Sequence, residues 1–237
     1  RDPESRLEPV ADYLDLGRPV APGIRVAVCR RIDGFALTNC QTGRALDNTA
    51  QLLRDLGCEV RDDDPPLPAE ADELLQPGVW GYCGDHYAAA ESMVPGFWEN
   101  HANDLTDYTR PIYDAGRTAL AWQYRRLMRR TRAYREQVAA WFVSYDFLIT
   151  PVAGPAPLHD TDNDERKDPL MRFLAPFNTA RNPAAAVPVD FHADGLPLAL
   201  QIVGRAGDDL GVLRLSEALQ ASRPPADRWP ALANVTP

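Results

Sequence analysis

Two short apolar runs, at 184–189 and 196–203, stand out in the last third of the chain. Neither contains a charged residue, and both border proline or glycine, which is typical of strands buried on both faces. A polar segment ending at Gly195 predicts a tight turn between them. Before the first run, we expect the APFN segment (175–178) and residues 181–183 to form an extended loop, because the residue before a proline avoids the helical region.

An earlier segment reads as a strand–helix–strand unit. A strand is predicted at 24–29, a helix at 42–56 with Thr42 as its N-cap, and a second strand at 58–61. Gly57 suits the position just past the helix. Strands joined in this way usually pair in parallel, with a right-handed crossover. A dinucleotide-binding domain is the alternative for such a unit, but no G-x-G-x-x-G motif follows the first strand.

Between this unit and the apolar runs, the pattern is mainly helical. A turn and loop are expected at 94–101, and Pro111 is expected to break or restart one of the helices. A further strand is predicted at 146–150. The predicted helices lie at 68–76, 79–93, 105–116, 118–143 and 208–221. The order of elements predicts an α/β fold, with a mixed β-sheet flanked by helices.

Composition narrows the possible functions. The chain has 237 residues, of which 45% are hydrophobic, and a formal net charge of −9. That charge argues against a protein that binds nucleic acid through phosphate contacts, and no apolar run reaches the roughly 18 residues of a membrane span. The four cysteines and four histidines show no spacing typical of a metal site. Cysteines without a pairing pattern favour a reducing compartment, and hence the cytoplasm.

Two segments carry family motifs. The segment 145–151 contains Tyr145, Asp146, Leu148, Thr150 and Pro151. The segment 173–205 contains Phe173, Pro176, Asn178, Pro183, Ala184, Val187, Pro188, Gly195, Leu196, Pro197, Gln201, Gly204 and Arg205. Together they resemble the C-terminal part of the amidase signature family. Arg181 and Ala199 depart from the resemblance, because each stands where the family usually has glycine.

The resemblance implies an amidohydrolase that cleaves carboxamide C–N bonds without a cofactor or a metal. Such enzymes use a Ser–cis-Ser–Lys triad and a Gly-Ser-rich loop that binds the oxyanion. Neither is recognisable here, since the five serines are isolated and the only lysine, Lys167, lies in a charged segment. We therefore expect residues 1–22 to be a linker from a missing N-terminal portion, and 23–237 to be the C-terminal part of an amidase domain. This chain alone should be inactive.

The resemblance also suggests which residues face a small-molecule amide substrate. Phe177 and Asn178 belong to the APFN segment, and Thr150 ends the predicted strand at 146–150. Arg110 lies near a position where some members hold a substrate carboxylate, a task that suits a guanidinium fork. The alternatives are that Phe177 packs in the core, that Asn178 caps a turn and that Arg110 is a surface residue of a helix.

Two further questions stay open at the level of sequence. Six arginines in the predicted helix 118–143 spread over about 220° of its circumference, which favours a solvated face, or one paired with the missing portion, over a nucleic-acid site. The function itself has an alternative, a non-catalytic binding or regulatory module that keeps half of the amidase fold. Homo-oligomers are compatible with either function.

Overall fold

The structure is a computed structural model, and it describes most of the chain between residues 20 and 222. The described residues are 13, 20–32, 35–36, 40–66, 85–107, 109–152, 173–192 and 195–222. The chain divides into two compact units, one formed by Arg1–Pro66 with Val138–Pro237 and the other by Leu67–Gln137. Most of the predicted linker 1–22 lies outside the described residues. The predicted helix 68–76 and Lys167 lie outside them as well.

The first unit is built on a five-stranded mixed sheet. Its strands run in the order β4-β1-β5-β7-β6, and a separate hairpin pairs β2 with β3. β1 pairs in parallel with both β4 and β5, whereas β5–β7 and β7–β6 are antiparallel. The strands are β1 (Arg25–Val28), β2 (Arg31–Ile32), β3 (Phe35–Ala36), β4 (Glu59–Asp62), β5 (Phe147–Pro151), β6 (Ala184–Phe191) and β7 (Pro197–Gly204). The predicted mixed sheet and its parallel strand–helix–strand unit are confirmed.

Seven α-helices are found among the described residues. They are α1 (Cys40–Asp55), α2 (Asp85–Met93), α3 (Phe97–His101), α4 (Arg110–Thr118), α5 (Ala121–Trp141), α6 (Ala175–Ala180) and α7 (Asp209–Ser222). α1 and α7 pack on one face of the sheet, where alternate strand residues such as Val26, Ile149 and Leu200 join Leu46 and Leu215 in a buried cluster. This alternation sends the intervening residues, Thr150 and Gln201 among them, to the opposite face.

The structure corrects the prediction for the first apolar run. β7 is buried along nearly its whole length, as expected, but β6 alternates between exposed and covered residues. The reason is that, among the described strands, β6 lies at the edge of the sheet and pairs with β7 alone. Pro188, which cannot donate a ladder hydrogen bond, is tolerated at such an edge.

Several helix boundaries also differ from the predictions. α1 begins at Cys40, so Thr42 is a buried residue inside the first turn and is not the N-cap. The C-terminal prediction is confirmed, because Gly57 has a φ of +88° and the N–H of Cys58 donates to the carbonyl oxygen of Leu53, the hydrogen bond of a Schellman motif. In the second unit, the expected loop at 94–101 contains helix α3. Helix α4 begins at Arg110 and not at 105, with Pro111 in its first turn, which confirms the expectation that this proline restarts a helix.

None of the described helices is both long and apolar enough to cross a membrane.

Candidate functional site

Thr150 and Gln201 face each other across the β5–β7 pair. The side-chain Nε2 of Gln201 donates to the hydroxyl oxygen of Thr150 at 3.0 Å and to the carbonyl oxygen of Phe173 at 2.8 Å. The Thr150 hydroxyl in turn donates to the carbonyl oxygen of Pro151 at 2.8 Å. Thr150 is 0% exposed and Gln201 is 4% exposed. Burial in a low-dielectric environment makes these bonds obligatory, since an unpaired polar group there is costly.

The APFN segment is helical and not the extended loop that the sequence pattern predicted. α6 starts two residues after Phe173 and carries Pro176 in its first turn, where a missing N–H costs nothing. Phe177 is buried in the core at 1% exposure, while Asn178 lies on the exposed side. Of the two predicted pocket residues, Asn178 is exposed, whereas Phe177 packs in the core, which is the alternative that the sequence left open for it.

Arg181 ends helix α6 in the left-handed conformation, with a φ of 61° and a ψ of 39°. Among the described residues it is the one non-glycine residue with a positive φ. Its N–H donates to the carbonyl oxygen of Asn178, and the next N–H, of Asn182, donates to that of Phe177. A side chain is disfavoured in this conformation, so the backbone here suits the glycine that the family resemblance leads us to expect.

Arg110 lies in the second unit, at the start of α4. Its guanidinium already binds within that unit, donating to the carbonyl oxygen of Ala102 at 2.8 and 3.1 Å and to the side-chain oxygen of Asn103 at 2.6 Å. The residue is exposed. In this arrangement the guanidinium fork stabilises the chain ahead of α4.

Other motif residues hold the sheet together. Asp146 receives hydrogen bonds from the main-chain N–H and the side chain of Arg25, and Arg205 approaches the same carboxylate at 2.7 Å. Arg205 also donates to the carbonyl oxygens of Phe142 and Tyr145. Burial alone would raise the pKa of Asp146, but the hydrogen bonds from Arg25 and the charge of Arg205 outweigh it and lower that pKa.

A cavity of about 560 Å³ lies at the carboxyl ends of the parallel strands β1 and β4. Its polar lining includes Arg30, which binds Asp47 at 2.7 Å and Asp62 at 3.2 Å. Cys29 precedes this arginine, and burial raises the pKa of its thiol, which therefore stays protonated and unreactive. The ion pairs with Asp47 and Asp62 occupy the Arg30 guanidinium, and the lining residues that the structure describes include no serine, threonine or cysteine side chain.

Nucleophilic and metal chemistry find little support among the described residues. The hydroxyls of Ser216 and Ser222 donate to the carbonyl oxygens of Val212 and Ala218 one helical turn earlier. Within the described ranges, no three His, Cys, Asp or Glu side chains converge as metal ligands.

The sequence contained an unused signal for Gln201. Gln201 is one of many residues that match the family motif, and the motif alone gives it no role. It is the one polar side chain in the apolar run 196–203, and a polar group inside a buried strand requires a specific partner. That requirement could have identified the contact with Thr150, the predicted site residue directly across the sheet.

The sequence model of the amidase family matches residues 1–213 of this chain. Among curated proteins, a putative amidase, AmiB2, of Mycobacterium tuberculosis is 27% identical over 223 residues, which are 90% of this chain and 46% of that protein. An acylamidase of Rhodococcus erythropolis is 26% identical, over 97% of this chain and 49% of its own length. The chain thus spans about half the length of these relatives.

Solved structures show the same relationship in the fold. A 6-aminohexanoate cyclic dimer hydrolase superposes with a TM-score of 0.73 at 22% identity, covering 99% of this chain and 52% of the hydrolase. A bacterial aryl acylamidase of the amidase signature family gives a TM-score of 0.70 at 20% identity, covering 88% and 45%. The mixed sheet with its flanking helices is accordingly an amidase signature architecture, and the chain belongs to the amidase family.

Proposed function

We propose that this chain is the C-terminal portion of an amidohydrolase that cleaves carboxamide C–N bonds in small molecules, and that it supplies scaffold and substrate-pocket walls. One observation carries the proposal: the buried contact in which Gln201 joins Thr150 to the carbonyl group of Phe173. The contact fixes the end of β5 to the segment that enters α6. The two family motifs are thereby held together as one continuous wall.

The reactive groups of the proposed enzyme belong to its N-terminal portion. There the lysine of a Ser–cis-Ser–Lys triad takes a proton through the bridging serine, the outer serine attacks the carboxamide carbon, and the amine leaves with a proton. Water then hydrolyses the acyl-enzyme, and backbone N–H groups stabilise both oxyanions. The half-length coverage of the relatives supports this division, as do the helix-bonded hydroxyls of Ser216 and Ser222.

We assign different tasks to the predicted residues, of which Asn178, Phe177 and Thr150 belong to the wall. Asn178 has an exposed side chain that can donate to a substrate carbonyl and accept from an N–H. Phe177 and Thr150 are buried, so they act by keeping α6 and β5 in place beside the substrate. Arg110 would bind a substrate carboxylate only in exchange for its present bonds to Ala102 and Asn103.

A cytoplasmic location is part of the proposal. Cys29 and Cys58 are free, buried thiols, and such cysteines persist in reducing compartments.

Hydrolysis of a chromogenic anilide tests the proposal. We expect the purified 237-residue chain to leave p-nitroacetanilide intact, and the protein made together with the gene region directly upstream to release p-nitroaniline. Asn178→Ala in that longer protein should raise KM more than it lowers kcat. A non-catalytic module with half of the fold would gain no activity from the upstream region, and enzyme-like turnover by the short chain would contradict the proposal.

A further inference from the structure

The first half of helix α5 has an exposed surface that combines one large aromatic side chain with three arginines. This surface, here called the Trp–Arg face, consists of Trp122, Arg125, Arg126 and Arg129. At about 100° per residue, the four positions fall within an arc of about 100° on the helix. Trp122 is 60% exposed, and the three arginines are exposed as well. The buried residues of α5 lie on the opposite side, and they are Leu127, Thr131, Tyr134 and Val138.

The positions of these arginines are unfavourable for the helix by itself. The amino end of a helix carries a partial positive charge and is stabilised by acidic residues, yet the first turn of α5 contains none. Arg125 and Arg129 are four residues apart, and Arg126 and Arg129 three, so their like charges repel each other. Within the described ranges, no ion pair or hydrogen bond of these three guanidinium groups offsets the repulsion, whereas Arg132 is paired with Glu136 at 3.0 Å.

The side chains of the Trp–Arg face are those of a protein-binding surface. Tryptophan and arginine are enriched at the energetic centres of protein–protein interfaces. A planar guanidinium group binds a carboxylate through two parallel hydrogen bonds, and the broad indole of Trp122 offers apolar area beside the charges. The surface therefore fits a protein partner that presents carboxylates next to apolar side chains, and such carboxylates would also offset the repulsion along α5.

The length of the relatives indicates which partner that is. The chain covers 46% of the putative amidase AmiB2 and 49% of the acylamidase, so about half of such a protein lies outside it. A portion of the same polypeptide is present at a high effective concentration, an advantage that no separate molecule has. A second copy or a nucleic acid would also meet the repulsion of a chain whose net charge is −9.

We propose that the Trp–Arg face is a docking surface for the N-terminal portion of the enzyme, which places carboxylates against the three arginines and apolar side chains against Trp122. The interaction rests on the proposed function, because that function supplies the N-terminal portion. It adds a task for α5 that the substrate-pocket wall does not include. In the complete enzyme, the guanidinium groups of the face are shielded from solvent.

Arginine footprinting of the protein made with its upstream gene region tests the docking surface. Phenylglyoxal modifies accessible guanidinium groups, and mass spectrometry of the peptides gives the rate at each arginine. We expect Arg125, Arg126 and Arg129 to react at least about ten-fold more slowly in the longer protein than in the 237-residue chain, because reaction then requires local opening. Arg44 and Arg54, two exposed arginines of α1, are the matched reference and should react equally fast in both proteins.

Charge reversal provides a second measurement within the longer protein. Arg125→Glu/Arg129→Glu should release the docked surface, so that the remaining arginine, Arg126, is modified at least about ten-fold faster. Trp122→Ser should act in the same direction, because it removes the apolar contact. The matched control, Arg44→Glu/Arg54→Glu, should leave the rate at Arg126 unchanged.

Three results would overturn the inference. The first is equal rates at the three arginines of the face in both proteins. The second is equal slowing of Arg44 and Arg54, since the coverage would then be general. The third is protection that disappears on dilution or after nuclease treatment, since a second copy or a nucleic acid would then cover the face.

Hydrolysis of p-nitroacetanilide by the same longer protein is measured in parallel, which separates this inference from the proposed function. Turnover together with an unprotected Trp–Arg face contradicts the docking surface alone. Protection without turnover contradicts the proposed function alone.

Discussion

The side-chain amide of Gln201 lies 3.0 Å from the hydroxyl oxygen of Thr150, and the second N–H of the same amide reaches the carbonyl oxygen of Phe173. These bonds join residues that are 51 and 28 positions apart in the chain. Gln201, Thr150 and Phe173 are all buried. A single side chain thus sets the position of the wall that we propose for the substrate pocket.

Replacing Gln201 with leucine should destabilise the first unit by about 1–3 kcal/mol, because the change leaves the Phe173 carbonyl group and the Thr150 hydroxyl without their donor. Urea unfolding followed by circular dichroism measures the loss. The matched control is Gln51→Leu, since Gln51 makes its bond to Asp55 on the exposed surface of α1, and this change should stay within about 0.5 kcal/mol. Equal effects of the two variants would contradict the assigned role.

Gly204 is expected to reject even a methyl group. A Cβ atom there would lie 2.6 Å from Cγ2 of Val212 and 3.3 Å from the carbonyl oxygen of Asp208. Gly204→Ala should cost about 1–3 kcal/mol as an overpacked site, as measured by the shift in the urea midpoint.

Gly43 provides the matched control for Gly204. It lies within helix α1, and an added Cβ atom there would meet nothing within 4 Å. Gly43→Ala should therefore stabilise the protein by up to about 1 kcal/mol. The assigned packing of β7 against α7 would be wrong if both alanine variants moved the midpoint in the same direction. A double variant with Val212→Ala should recover part of the loss at Gly204.

Features that depend on a short stretch of sequence could be predicted, whereas features that depend on contacts between distant strands could not. The Gly57 cap and the parallel β1–β4 pair could be predicted because each depends on a short pattern. The exposure of β6 could not be predicted, because a run of alanine, valine and proline is compatible with a central strand and with an edge strand. Its place at the edge depends on strand order, which is set by contacts with β7.

The site shows the same limit. Thr150 could be selected by its place at the end of an apolar strand, and Gln201 by its polarity, but their contact needs the β5–β7 register. The prediction of a loop for the APFN segment is wrong, because Pro183 favours extended backbone only at Asn182. At Pro176, the preference of proline for the first turn of a helix decides the structure of the segment. Arg110 was selected by analogy alone, and its bonds to Ala102 and Asn103 were not visible in the sequence.

The left-handed backbone conformation of Arg181 leads to a further prediction. Arg181→Gly should stabilise the protein by about 1 kcal/mol, because glycine adopts a φ of 61° without the penalty that a Cβ atom brings. Differential scanning calorimetry measures the gain as a higher Tm. Arg44→Gly, inside α1, should do the reverse and cost about 1 kcal/mol. A lower Tm for Arg181→Gly would show that the side chain contributes more than its backbone conformation costs.

The loss of folding stability at acid pH should depend on Asp146. The pKa of its carboxyl group is lowered from the ordinary value of 3.8 in the folded state, so its contribution is complete above that value and is lost as pH falls through the folded pKa. Asp146→Asn should therefore flatten the loss of stability between about pH 5 and pH 2. Urea unfolding at a series of pH values measures the slope.

Asp208 should affect stability at acid pH in the opposite direction to Asp146. Burial raises the pKa of its carboxyl group, so protonation on acidification favours the folded state, and Asp208→Asn should steepen the acid loss. Asparagine keeps the cap of α7, in which Oδ1 of Asp208 accepts from the N–H of Gly211. Acid slopes that change in the same direction in the two variants would contradict the assigned ion pair between Asp146 and Arg205.

The most direct measurement locates the nucleophile. A fluorophosphonate probe, which reacts covalently with an activated serine, is applied to the short chain and to the protein made with its upstream gene region, and the labelled peptide is identified by mass spectrometry. We expect no label on the short chain, and in the longer protein a single label outside residues 1–237. A label on Ser5, Ser92, Ser144, Ser216 or Ser222 would contradict the conclusion that this chain provides the walls of the site and not its reactive groups.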